Sequence, residues 1–157
     1  VIDNTTLVEG RSSPLADGGA RRDGDRRLQG SYLSGMNVVL RDCSITDSWG
    51  LPDQFFFCIS NAEGMLIMEN VEVSNNLRNN SGTSVAVWNQ GVARIERCSF
   101  LKNEFDVILY NYQGEANIGM SSFEGNRGQS SIGITGGYTG ISGNRFIENI
   151  FPGSGNI

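Results

Sequence analysis

Histidine is missing from this chain altogether, which removes imidazole acid–base chemistry and imidazole-ligated metal sites. Charge is thin, at 18% of residues, and it leans acidic: 17 Asp and Glu against 12 Lys and Arg, a net of −5. Nucleic-acid partners need a basic face, so this balance argues against nucleic acid. No run of 18 apolar residues occurs, and a helical membrane span needs about that many. Three cysteines are an odd number and imply no closed disulfide framework. Proline is scarce too, three residues, whereas glycine reaches 21 of 157, the composition of one domain built from short strands and many tight turns. The chain opens at Val1 without Met or a signal-peptide pattern, which reads as a mature or trimmed piece of something longer.

What the sequence does have is a repeat, and a repeat has to be found before any local reading is attempted. Aligned on one large apolar residue, the registers are Leu7, Ile45, Val73, Phe100, Phe123 and Phe146. Five positions earlier stand Ile2, Leu40, Met68, Ile95, Ile118 and Ile141; three positions later stand Gly10, Ser48, Asn76, Asn103, Asn126 and Asn149. A second apolar strand follows in each unit: SYLSG, FFFCIS, SVAVWN, DVILYN and SIGIT. Alternation puts Phe57 and Ile59, Val85 and Val87, Val107 and Leu109, and Ile132 and Ile134 inward. Asp106, Ile108, Trp88 and Tyr110 then point outward, and so does Cys58 unless a bulge in the FFFC run reverses it. Units this short cannot bury their own apolar faces and must stack on copies of themselves.

The expected fold is therefore all-β: a parallel β-helix (solenoid) of about six coils of 22–28 residues, with a long loop inserted in the first. The units, an apolar run, a two-residue turn, a C-x-F type strand, Asn and a further strand, resemble the right-handed parallel β-helix repeats of the pectin-lyase-like fold over nearly all of 1–150. Stacked at about 4.8 Å per rung, Phe100, Phe123 and Phe146 should form one column. Asn76, Asn103, Asn126 and Asn149 should form a structural ladder, linking side-chain amides while themselves holding the unusual backbone angles of a turn. Asn61, Asn89 and Asn111 should form a second. Cys43 and Cys98 share a register two rungs apart, roughly 9–10 Å by that spacing and beyond disulfide reach.

A single domain is expected over 1–157, with 11–28 a flexible inserted loop. That loop carries five Arg and three Asp without periodicity, and its Arg21-Arg22 and Arg26-Arg27 pairs suggest protease processing or contact with an acidic glycan. Loops on a rigid scaffold are where recognition concentrates. The adjoining sheet should present Trp88 and Tyr110 on neighbouring rungs with Asp106 and Ile108 beside them, a face that suits sugar rings or, alternatively, one that a packed loop covers. Two N-x-[ST] sequons begin at Asn4 and Asn79 and are glycosylation candidates if the chain is secreted.

Catalysis would need paired carboxylates about 5–9.5 Å apart for a glycosidase, or a base and a charge neutraliser for a lyase. Asp106 is the weak catalytic candidate; Glu104, Asp47 and Asp53 are further candidate acids near the sheet, and Lys102 lies near the turn. No paired-Asp, calcium-binding or His-containing motif of the resembled enzymes is visible. The expectation is an extracellular or cell-surface module, structural or glycan-binding, without metal or cofactor; a lyase or hydrolase acting on acidic polysaccharide is the alternative. SGNI breaks off partway through a coil, which suggests further β-helix coils or end-to-end self-assembly as partners.

Overall fold

The computed structural model describes residues 2–3, 6–7, 28–29, 33–34, 37–46, 48–49, 56–61, 64–77 and 83–152, with side chains from residue 38 onward except 47–57. Among these residues there are nineteen strands and no helix, and every pairing between strands is parallel. Parallel neighbours cannot be joined by a hairpin. The chain instead runs through three sheets in turn and returns one rung higher, which makes it a β-solenoid.

The first sheet stacks β1 (Ile2–Asp3), β5 (Asn37–Arg41), β9 (Met65–Glu69), β12 (Val92–Glu96), β15 (Glu115–Gly119) and β18 (Tyr138–Ser142). The second stacks β2 (Thr6–Leu7), β6 (Ser44–Thr46), β10 (Glu72–Ser74), β13 (Ser99–Leu101), β16 (Ser122–Glu124) and β19 (Arg145–Ile147). The third stacks β4 (Leu33–Ser34), β8 (Phe56–Asn61), β11 (Ser84–Asn89), β14 (Val107–Tyr112) and β17 (Ser130–Thr135). A separate pair joins β3 (Leu28–Gln29) to β7 (Ser48–Trp49). Residues 11–27 of the inserted loop, and the Asn4 and Asn79 sequons, lie outside the described residues.

Register follows the repeat residue for residue. Leu7, Ile45, Val73, Phe100, Phe123 and Phe146 are successive partners in the second sheet. Ile2, Leu40, Met68, Ile95, Ile118 and Ile141 are successive partners in the first. The phenylalanine rings stack nearly flat, with centroids 4.8 and 5.0 Å apart and planes within 12°. Phe100 and Phe123 are wholly buried with Met68, Ile95 and Ile118 in one core, where each such side chain contributes about 1.5–3 kcal/mol of transfer free energy.

The corners depend on two devices. Asn76 donates from its amide N–H and its Nδ2 to Oδ1 of Asn103, at 3.1 and 2.9 Å. Asn103 does the same to Asn126, and Asn126 to Asn149. Each Nδ2 also reaches back to a carbonyl of the preceding rung: Ile45, Val73, Phe100 and Phe123 in turn. Asn61, Asn89 and Asn111 form the parallel series, linked Nδ2 to Oδ1 at 2.7 Å. The left-handed backbone angle, however, falls one residue before the first ladder, at Asn75, Lys102, Gly125 and Glu148. The corner between the first and second sheets likewise uses Asp42, Asn70, Arg97, Met120 and Gly143. The ladder asparagines therefore brace the corner from inside while a neighbour makes the bend.

Strict alternation fails in the third sheet. Val85 pairs with Val107 and Val87 with Leu109, but the pairing is interrupted at the intervening Ala86 and Ile108. The strand bends there, and two successive residues turn to the core: Cys58 with Ile59, Ala86 with Val87, and Ile108 with Leu109 are all fully buried. Val107, expected inward, is half-exposed; Ile134, expected inward, keeps the inward register of Asn111 but is 45% exposed on the uppermost described strand of its sheet. Cys58, expected outward, is a buried thiol like Cys43 and Cys98.

Candidate functional site

Beyond the bend, alternation resumes, and β11 and β14 turn Trp88, Tyr110 and Tyr112 to the outer face of the third sheet. Trp88 and Tyr110 are direct partners on adjacent rungs, with ring centroids 5.0 Å apart and planes tilted by 58°. Tyr112 joins them, 5.5 Å from Trp88 and 6.2 Å from Tyr110. All three are half-exposed. The rung above makes room: a Cβ on Gly133 would stand 2.7 Å from Cδ2 of Tyr110, so only glycine lets the ring lie against that backbone. The hydroxyl of Tyr110 then meets Oγ1 of Thr135 at 2.6 Å.

Two sequence-chosen neighbours do not join this cluster. Ile108 is fully buried in the core, on the inner side of the bend. Asp106 is 7% exposed. Its Oδ2 accepts from the amide N–H of Ser84 at 2.9 Å and lies 3.2 Å from the Ser84 hydroxyl; its Oδ1 accepts from Nε2 of Gln129 at 3.3 Å. The carboxylate thus ties the rung below to the rung above, and that bracing occupies both of its oxygens. Glu104 sits half-buried in a column with Leu77, Arg127 and Ile150, and Lys102 makes a left-handed corner. Asp47 and Asp53 lie outside the described residues. Asn76, Asn103, Asn126 and Asn149 are inside the solenoid as its brace.

Tyr112 is the member the sequence reading missed. Continuing the alternation through VILYNY from Tyr110 places it on the same face, so the signal was there. The electrostatics divide by sheet. None of the strands of the third sheet carries a charged residue. The first sheet is a lattice of ion pairs: Arg41 with Glu69 at 3.1 Å, Arg94 with Glu96 at 2.9 Å, and Arg97 bridging Glu69 and Glu96. Among the described residues no group of three or more Cys, Asp or Glu is placed to hold a metal ion, and no helix is long and apolar enough to cross a membrane.

Comparisons with protein-family models, with curated proteins and with solved structures return no match.

Proposed function

We propose that this solenoid is an extracellular or cell-surface module of the right-handed, pectin-lyase-like type, structural in build and glycan-binding at the Trp88–Tyr110–Tyr112 face. The observation that carries the reading is the cluster itself: three half-exposed aromatic rings held on two adjacent rungs. Cross-strand contact between such rings stabilises a sheet by only about 0.2–1 kcal/mol, and the C–H faces of a sugar ring pack against the electron-rich face of an aromatic. Tyr110 and Thr135 add hydroxyls at its edge. Covering two such rings removes on the order of 100 Å² of apolar surface, about 2–3 kcal/mol at 25 cal/mol per Å². Binding of an isolated sugar segment should then be weak, and avidity along a polymer should strengthen it.

We include stacking on further coils, or end to end on another copy, in the structural role, because the uppermost described rung leaves Ile134 and Ile150 exposed and Ile141 and Phe146 only partly covered. The enzyme alternative finds less support, since the carboxylate of Asp106 is engaged with Ser84 and Gln129.

The test is affinity electrophoresis against a polysaccharide panel. Trp88→Ala and Tyr110→Ala should each lose about tenfold in affinity, equivalent to about 1.4 kcal/mol, while Met65→Ser on the first sheet should leave it unchanged. Equal retardation of all three variants would remove the aromatic face as a binding site.

A further inference from the structure

The charge distribution assigns a ligand class to that face: we infer that it takes an uncharged glycan, a polymer of neutral hexoses or pentoses, and discriminates against acidic ones. This rests on the glycan-binding reading above and narrows it. The chain carries 29 ionisable Asp, Glu, Lys and Arg side chains, yet none falls on any strand of the third sheet. The first sheet, of like length and the same repeat, has charged residues on five of its six strands. Solvated faces ordinarily hold the charge of a soluble protein, so described strands that carry none make a chemical surface in their own right.

A uronate or sulfate group asks for cations, and bidentate or charge-assisted hydrogen bonds are how proteins recognise such anions. Among the described residues the register partners of the rings are the buried Ser60 below Trp88, and Gly133 and Thr135 above Tyr110 and Tyr112, and the exposed Gln90 closely follows Trp88 in the chain; all are neutral. Glu115, which opens the next strand after the turn that follows Tyr112, is exposed and adds a negative charge beside the face. A net charge of −5 for the whole chain repels polyanions further. The polar groups that the face does have are suited to sugar hydroxyls. Either oxygen of the Tyr110–Thr135 pair can be the donor, so the pair can donate to or accept from a hydroxyl. Anions only accept.

The experiment titrates the whole chain against neutral polymers (β-glucan, xylan, mannan) and against polygalacturonate and alginate, at low and high salt. Variants are checked for unchanged cooperative urea unfolding. Binding to at least one neutral polymer is expected, insensitive to salt because no ion pair forms, and weakened about tenfold by Trp88→Ala. Gln90→Lys, which places a cation at the edge of the rings, should create salt-sensitive binding to polygalacturonate while keeping the neutral ligand. Polygalacturonate or alginate binding by the unaltered chain, abolished by salt and without binding to any neutral polymer, would overturn the inference and leave glycan binding standing. Retention of neither class would overturn the glycan reading itself. Neutral binding that persists in Trp88→Ala would overturn the assignment to this face.

Discussion

Replacing Asn103 by Ala tests how much of the fold depends on its amide columns. Asn103 is buried to within 1% and its side chain makes four hydrogen bonds. Oδ1 accepts from the N–H and Nδ2 of Asn76, and Nδ2 donates to the Val73 carbonyl and to Oδ1 of Asn126. Two of the partners have other bonds: Nδ2 of Asn76 also reaches Ile45, and Oδ1 of Asn126 also accepts the Asn103 amide N–H. The substitution also withdraws the Asn103 side chain from the Asn76 amide N–H and from the Val73 carbonyl. A buried polar group deprived of its partner costs about 1–3 kcal/mol, so the substitution should cost about 2–6 kcal/mol. That is a large share of the 5–15 kcal/mol that a folded domain commands. Asn149→Ala breaks three bonds, but at partly buried positions where water can replace the side chain, and should cost about 1 kcal/mol. Asn117→Ala, at an exposed position, should cost under about 0.5 kcal/mol. Urea unfolding followed by circular dichroism and tryptophan fluorescence gives all three by linear extrapolation, and coincidence of the two probes checks that unfolding stays cooperative along the stack. An Asn103→Ala variant no less stable than Asn149→Ala would refute the argument that the amide column braces the corners.

Two further predictions follow from the corners and the core. Met120 has a φ of 50° and 60% exposure, while glycine fills the same corner one rung higher at Gly143; Met120→Gly should be neutral or stabilise by up to about 1 kcal/mol, and Gly125→Ala should destabilise by about that amount. A urea midpoint that falls sharply for Met120→Gly would contradict the strain assigned there. Burial raises the Cys98 thiol from 9.0 to about 11 against the opposing pull of hydrogen bonds at Val71 and Glu96, and raises Cys58 further. The folded state thus disfavours the thiolate: this stability is complete below pH 9 and is lost as pH rises towards 11. A pH series of urea midpoints should decline across that window, less steeply for Cys98→Ala, and an unchanged slope would show that Cys98 does not titrate on unfolding.

The rungs were legible because a stacked coil forces the same chemistry onto the same position: Phe100, Phe123 and Phe146 recur at one offset, and so do the four asparagines. The bends were not legible. Left-handed corners usually advertise themselves by glycine, but here Arg97, Lys102 and Met120 occupy several of them, and none of these residue types signals a positive φ. The ladder asparagine beside each bend drew the assignment to itself. At the third sheet the error came from carrying a period of two through a kink. Ile108 and Asp106 were assigned outward by parity, whereas the interruption opposite Ala86 resets the parity and sends Ile108 into the core. Trp88 and Tyr110 lie past the kink and were placed well; Tyr112 lies there too and was overlooked.

The amide column also has a sense of direction. Every described step passes hydrogens from the lower-numbered asparagine to the oxygen of the higher one, so each storey offers its neighbour an identical socket and plug. From Asn103 onward the storeys also share one length, since the steps to Asn126 and Asn149 both span 23 residues. A duplicated or deleted 23-residue segment therefore reconnects without any amide facing the wrong way. The height of the tower is a property that gene duplication can adjust while the plan of each floor stays fixed.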